Sequence, residues 1–385
     1  MNPSPNPVHL EEPSPVRPLR EPSRCVRPME AADLPAVGRL FNKAFRRKNE
    51  EPQQDLLGYL DHVFLQNPGY APEHGSIVHK DGTGRIDSAL LSLPMSFHAM
   101  GHRITARLLC AFMADGRAGF AGAAKLARAI RLSQPDLCFS DNASPVSADH
   151  WITGGGFMLP IQSLEWRRTF RPFQGGFERL RETMPAFRHL RLTPLLKPAD
   201  LVARRLFGAF VPPGPPGMAS IEAGLDEFLA CARQMTERFA IRPDWSREDL
   251  AWLMDTAALN TSLGQLRCRI VVNAQGATVG CYLFSGRPGE MAHVLNVLCL
   301  EGREFDVVGH MFADLAASGY AAARGMAQPF LMNALMRQRQ MNFRHRGYFC
   351  MVTQHRDIRE AALRNDIFIG GLASESWSRL LTDFR

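Results

Sequence analysis

The sequence predicts an α/β (α+β) chain made of two units with a similar order of elements. Three observations predict it. Apolar, strand-like runs alternate with stretches of helical spacing from Arg24 onward. The second half of the chain restates the order of the first. The 385 residues suffice for two domains that each bury a core.

Composition narrows the class. At 45% hydrophobic and 22% charged, the chain is of the globular type, and no apolar run approaches the roughly 20 residues of a membrane helix. Residues 1–23 carry seven prolines among polar residues, which reads as a disordered tail. Proline and glutamate stand where a secretory signal needs a basic start and an apolar core, so a cytoplasmic location is expected. The eight cysteines include no Cys-x-x-Cys pair, and the histidines show no ligand spacing. Reduced core cysteines and no metal follow. A net charge of +7 suits an anionic ligand such as a nucleotide cofactor. No basic run is interleaved with aromatics, so no nucleic acid is expected.

In order, Arg24–Met29 reads as a short strand. Ala36–Phe45 reads as a helix, with Asp33 as cap and Pro35 in its first turn, and Gln54–Leu65 as a second one. Ser76–Lys80 and Arg85–Phe97 form a hairpin across Asp81–Gly84. The stretch that organises the chain follows: a strand Arg103–Met113, a loop Ala114–Gly122, a helix Ala123–Leu132, a strand Asp136–Asp141 and a Gly-rich end at 154–157. A glycine-bearing turn from strand to helix suits a phosphate, and it equally suits a plain tight turn.

Val26-Arg27-Pro28-Met29 with Asp33-Leu34-Pro35-Ala36-Val37, followed by hairpin, strand, Gly loop and helix, resembles the GNAT family of acyl-CoA-dependent acyltransferases over residues 24–168. Gly119-Phe120-Ala121 is similar to the second half of that family's pyrophosphate loop. Gly116 stands where the family prefers Arg or Gln, with Arg117 adjacent. Trp151 occupies the place of a tyrosine that often acts as general acid. The resemblance implies a mixed, mostly antiparallel twisted sheet flanked by helices in each unit. It also implies acetyl-CoA or another acyl-CoA held by Arg117, Gly119, Phe120, Ala121 and Gly122, with the backbone near Met113 polarising the thioester. The acceptor it implies is a small-molecule or sugar amine.

The strand Thr105–Met113 lacks the carboxylate that relatives often carry there, and Asp115 lies against the phosphate loop. Asp141 and Asn142, at the end of the second strand, are the catalytic candidates, although a strand-end Asp also serves as a cap. Glu73, His74 and His150 are weaker ones.

Residues 171–220 read as a basic helical linker ending in Pro212–Gly217, or as an amphipathic segment touching a membrane surface through 175–210. The second unit, 221–385, runs through a helix Ile221–Arg238, a capped helix after Ser246, a hairpin across Ala274–Gly276, and a strand Met291–Leu300 carrying His293 and Asn296. A helix Phe305–Ala317, a strand Ala321–Gly325, alternating elements and a last strand Asp366–Leu372 complete it. Its turn Glu301-Gly302-Arg303-Glu304 lacks the Gly-x-Gly/Ala loop, and its carboxylates repel a pyrophosphate. The expected division is therefore a first, acyl-CoA-binding unit at 24–170 and a degenerate second unit. A non-catalytic tandem module is the alternative to a transferase.

Overall fold

The computed structural model describes residues 25–117, 119–133, 135–184 and 193–384. The expected tail at 1–23 and the basic residues Arg188 and Arg191 lie outside them. The first half runs β1 (Val26–Pro28), α1 (Leu34–Phe41), α2 (Gln54–Phe64), β2 (Ile77–Lys80), β3 (Ile86–Ala99), β4 (His102–Ala114), α3 (Phe120–Leu132), β5 (Leu137–Ala143), α4 (Pro145–Thr153), β6 (Phe157–Met158) and β7 (Leu164–Thr169). Helices α5 (Pro172–Thr183) and α6 (Thr193–Leu206) lead to the second half. That half runs β8 (Ala219–Ala223), α7 (Leu225–Thr236), β9 (Ile241–Pro243), α8 (Arg247–Ala258), β10 (Gln265–Val272), β11 (Thr278–Gly286), β12 (Met291–Cys299), α9 (Glu304–Ala317), β13 (Ala322–Met326), α10 (Met332–Met336), β14 (Met341–His345), β15 (Tyr348–Val352) and α11 (Arg356–Leu363).

The strands form two mixed sheets. The first has the order β1-β2-β3-β4-β5-β15-β6, with β9 also on β3, and the second β14-β7-β13-β12-β11-β10-β8. Every pairing is antiparallel except β4 with β5 and β12 with β13. The two orders are copies of each other once one exchange is allowed. β15, from the second half, fills the place beside β5, and β7, from the first half, fills the matching place beside β13. The sequence boundaries 24–170 and 221–385 therefore do not coincide with the sheets. Strand pairing is long-range, and nothing in a strand's own residues names its partner.

The inner faces share one core, from Val37, Phe64 and Leu108 through Leu283 and Leu298 to Trp377 and Phe384. Helix α3 covers the outer face of the first sheet through Leu126 and Ile130. Helix α9 covers that of the second through Val307, Met311 and Leu315.

Three local expectations change. Helix α3 begins at Phe120 instead of Ala123, because Gly119 is its N-cap. The expected helix Ile221–Arg238 opens with β8, since Ala219–Ala223 pairs along β10 and the edge ladder overrides local propensity. The expected strand Asp366–Leu372 makes only single bridges, Ile241 with Ile367 and Gly370 with Ala373. Positive φ at Gly370 and Gly371 bends it out of extension.

Candidate active site

The fold opens one gap in its first sheet. β4 and β5 pair only from Ala106–Leu137 to Leu108–Phe139, so β4 beyond Leu108 has no strand partner on that side. Just past the fork, Leu91 faces Ala111 and Ser92 faces Leu109, which leaves Cys110 as the extra residue of a β-bulge. Leu109, Cys110 and Ala114 stay partly exposed and Phe112 is exposed, so this flank is open to a ligand.

At the end of β4 stands the strand-to-helix loop. Asp115 is paired with Lys43 and with Arg85 (3.3 Å), and Arg117 is exposed. Two cations thus meet one carboxylate, with the exposed Arg117 two residues on, a balance that favours an anion. A Cβ on Gly119 falls 2.5 Å from both the Asp115 nitrogen and the Asp87 oxygen, and one on Gly122 falls 2.2 Å from Ser88 Oγ. Both glycines are required for the close seat of α3 on the sheet. Gly122 rests on a buried cluster in which His79 Nδ1 meets Asp87 (2.7 Å), with Ser88 donating to the same carboxylate and Lys125 on His79 Nε2 (3.2 Å). The Gly119 N–H donates to the Asp115 carbonyl (3.2 Å) and the Phe120 N–H to the Arg117 carbonyl (3.4 Å). Phe120 is exposed, Ala121 is also buried little, and Met113 is 1% exposed with its side chain in the core, opposite Ala89.

On the inner face beside the fork lies an acidic cluster. Asp141 is fully buried. Its Oδ2 accepts from Arg346 (3.2 Å), the Glu375 N–H (3.3 Å) and Ser376 Oγ (3.4 Å), whereas its Oδ1 has no partner among the described residues. Buried carboxylate oxygens are normally satisfied, so this one marks the spot. The next residue, Asn142, has its Oδ1 against Gly347. Desolvation, then the charges of Glu375 and Asp141, push the Cys110 thiol well up, so it is held as the neutral thiol. Burial likewise raises Tyr59, whose hydroxyl accepts the Arg379 N–H (3.0 Å).

Tyr59 and the buried Glu375 belong to this cluster and carry no signal in sequence. They reach Cys110 from α2 and from the C-terminal segment, and only the fold brings them together. The other candidates lie apart. Glu73 and His74 sit in the turn before β2, and His150 and Trp151 on α4.

The second sheet repeats the fork. β12 and β13 pair in parallel from Met291–Ala322 to Val294–Gly325, and Leu295 is the bulge. Here the chain's own C-terminal segment sits on it. Asn296 donates to the Gly370 carbonyl (3.4 Å) and accepts the Leu372 N–H (3.0 Å), and Gln328 donates to the Ile369 carbonyl (2.7 Å). A Cβ on Gly371 falls 2.3 Å from the Leu295 carbonyl oxygen. His293 is half-buried, and its Nδ1 accepts from Arg324 Nε (3.0 Å). Desolvation, then Arg324 and Arg167, hold its pKa well below the usual value. At the start of α9, Glu304 pairs with Arg238 (3.0 Å) and Arg303 with Asp306 (3.1 Å).

No protein-family model and no curated protein matches the sequence. Solved structures do match in fold. A probable N-acyltransferase of unknown function from Enterococcus faecalis aligns with a TM-score of 0.53 at 10% identity, covering 85% of this chain and 71% of that one. A GCN5-related N-acetyltransferase from Anabaena variabilis aligns with a TM-score of 0.53 at 11% identity over the same shares. The chain thus has a fold similar to that of the GNAT enzymes.

Proposed function

We propose that the chain is an acyl-CoA-dependent N-acyltransferase, moving an acetyl or longer acyl group to an amine of a small molecule or sugar. One observation carries the reading: the flank of β4 past the Cys110 bulge is partly exposed, while the equivalent flank of β12 is buried under the chain's own tail.

In this reading Lys43, Arg85 and Arg117 draw the pyrophosphate of acyl-CoA to the loop Gly119–Gly122. The unpaired edge of β4 beyond Leu108 offers backbone groups to the thioester carbonyl, as an oxyanion site does. The neutral amine attacks the carbonyl carbon. A C–N bond forms, the C–S bond breaks, and the electron pair leaves with the thiolate. Asp141 Oδ1 takes the nitrogen's proton, with Glu375 as the neighbouring acid.

A non-catalytic acyl-CoA-binding module is the second reading. It is favoured by the Gly119 and Phe120 N–H groups, which are already spent on loop carbonyls. Release of coenzyme A thiol across a panel of primary amines separates the two. The transferase reading expects turnover with at least one amine. It also expects Asp141→Asn to lower kcat by about a hundredfold with acetyl-CoA binding retained. An unchanged rate in Asp141→Asn removes Asp141 from the proton path. No turnover with any amine, alongside intact binding, favours the module.

A further inference from the structure

We propose that α6 and its flanks form a docking surface for anionic lipid. The observation is a helix whose polarity is reversed. Surface helices ordinarily turn their apolar stripe inward. Among the described side chains of α6 the buried positions are Asp200 and Ala203. Asp200 is turned inward because its carboxylate accepts the N–H groups of Phe173 (2.8 Å) and Gln174 (3.1 Å), capping the start of α5. The outward stripe is Leu195, Val202 and Leu206, spaced by seven and four residues, with Leu201 beside it. Leu195 is 75% and Leu206 70% exposed, and Leu201 and Val202 are both more than half exposed. Phe207, just past the helix, and Phe173, at the head of α5, add two exposed rings.

Charge selects the occupant. Lys197 and Arg205 are exposed on the same helix and Arg204 is half-buried, while the only carboxylate among its described side chains is the inward Asp200. Arg205 follows Leu201 by four residues and so stands within the apolar face. A second copy docked about a two-fold axis opposes each surface element with itself, which brings these cations toward their own kind. An anionic lipid surface instead pairs headgroups with Lys197, Arg204 and Arg205 while the leucines enter the acyl boundary. None of these residues belongs to the site around Cys110, so the proposal stands independently of the transferase reading.

Co-sedimentation of the full chain tests it, using vesicles of phosphatidylcholine alone and vesicles containing phosphatidylglycerol. The expected result is binding to the anionic vesicles at least about tenfold stronger than to neutral ones, weakening as salt is added. Val202→Glu with Leu206→Glu, and separately Arg204→Glu with Arg205→Glu, should each reduce it about tenfold with unchanged circular dichroism and unchanged acetyl-CoA titration. Absence of binding to anionic vesicles, equal binding to neutral ones, or indifference to both variants overturns it. So does a dimer in light scattering that Leu206→Glu dissolves, because the occupant is then a second copy.

Discussion

The fork between β4 and β5 and the fork between β12 and β13 start from the same geometry and end differently. Each has a short parallel ladder and a one-residue bulge on the central strand. At the second fork the segment Ile369–Leu372 lies on the bulge, held by Asn296 and Gln328, and β12 is buried from Val294 to Cys299. At the first fork the same tail, a few residues later, hydrogen-bonds Asp141 on the neighbouring strand through Glu375 and Ser376, with Glu375 close enough to push up the Cys110 thiol. The loops differ in the same sense. At the first, one carboxylate, Asp115, is met by two cations, Lys43 and Arg85, whereas at the second Glu304 and Asp306 are each met by one, Arg238 and Arg303. A duplicated fold can thus leave one fork partly exposed and lay its own chain on the other.

Substitutions at the two forks should separate them. The largest effect is expected from Arg346→Ala, which removes the guanidinium from the fully buried Asp141. It should cost about 3 kcal/mol in urea unfolding, because an uncompensated buried charge remains. A loss of only a few tenths would mean that the Glu375 and Ser376 donors suffice. Gly371→Ala comes next, at about 2 kcal/mol, since its Cβ meets the Leu295 carbonyl at 2.3 Å and its φ is +60°. The same change at Gly302 (φ +79°), with open space around its Cβ, should cost only about 1 kcal/mol, from backbone strain alone. If the two are equal, the tail does not press on the second bulge.

A smaller, pH-dependent effect belongs to His293. Its folded pKa is depressed by burial and by Arg324 and Arg167, so below the unfolded value of about 6.5 the unfolded state binds the proton and the native state does not. Stability should therefore fall with acidification, by up to about 1.4 kcal/mol per pH unit from this group, and His293→Gln should flatten that slope. An unchanged slope in the variant assigns the acid sensitivity elsewhere.

Much of the fold was legible because its signals are local. The hairpin across Asp81–Gly84, the Ser246 cap and the Gly-bearing loop each announce themselves within a few residues. Gly119 and Gly122 were legible as special, although the reason visible in the structure is their seat on Asp87 and Ser88. The exchange of β7 and β15, the Cys110 bulge and the approach of Glu375 were not legible, because each is decided by pairing across more than a hundred residues or by a register shift that leaves no mark in composition. The helix expected at Ile221 failed for the same reason, since β10 recruits Ala219–Ala223 as an edge strand. Asp141 stands out in the sequence by its place at a strand end, yet its three partners come from segments that sequence order keeps apart from it.

Under the proposed function the first fork accepts an acyl-CoA and the second does not. Calorimetric titration of acetyl-CoA into the wild-type chain, Arg117→Glu and Arg303→Glu tests it most directly, because both substituted side chains are exposed and the fold is spared. The account predicts one site per chain, at least about tenfold weaker in Arg117→Glu and unchanged in Arg303→Glu. Absence of binding in the wild type, or a loss confined to Arg303→Glu, would contradict it.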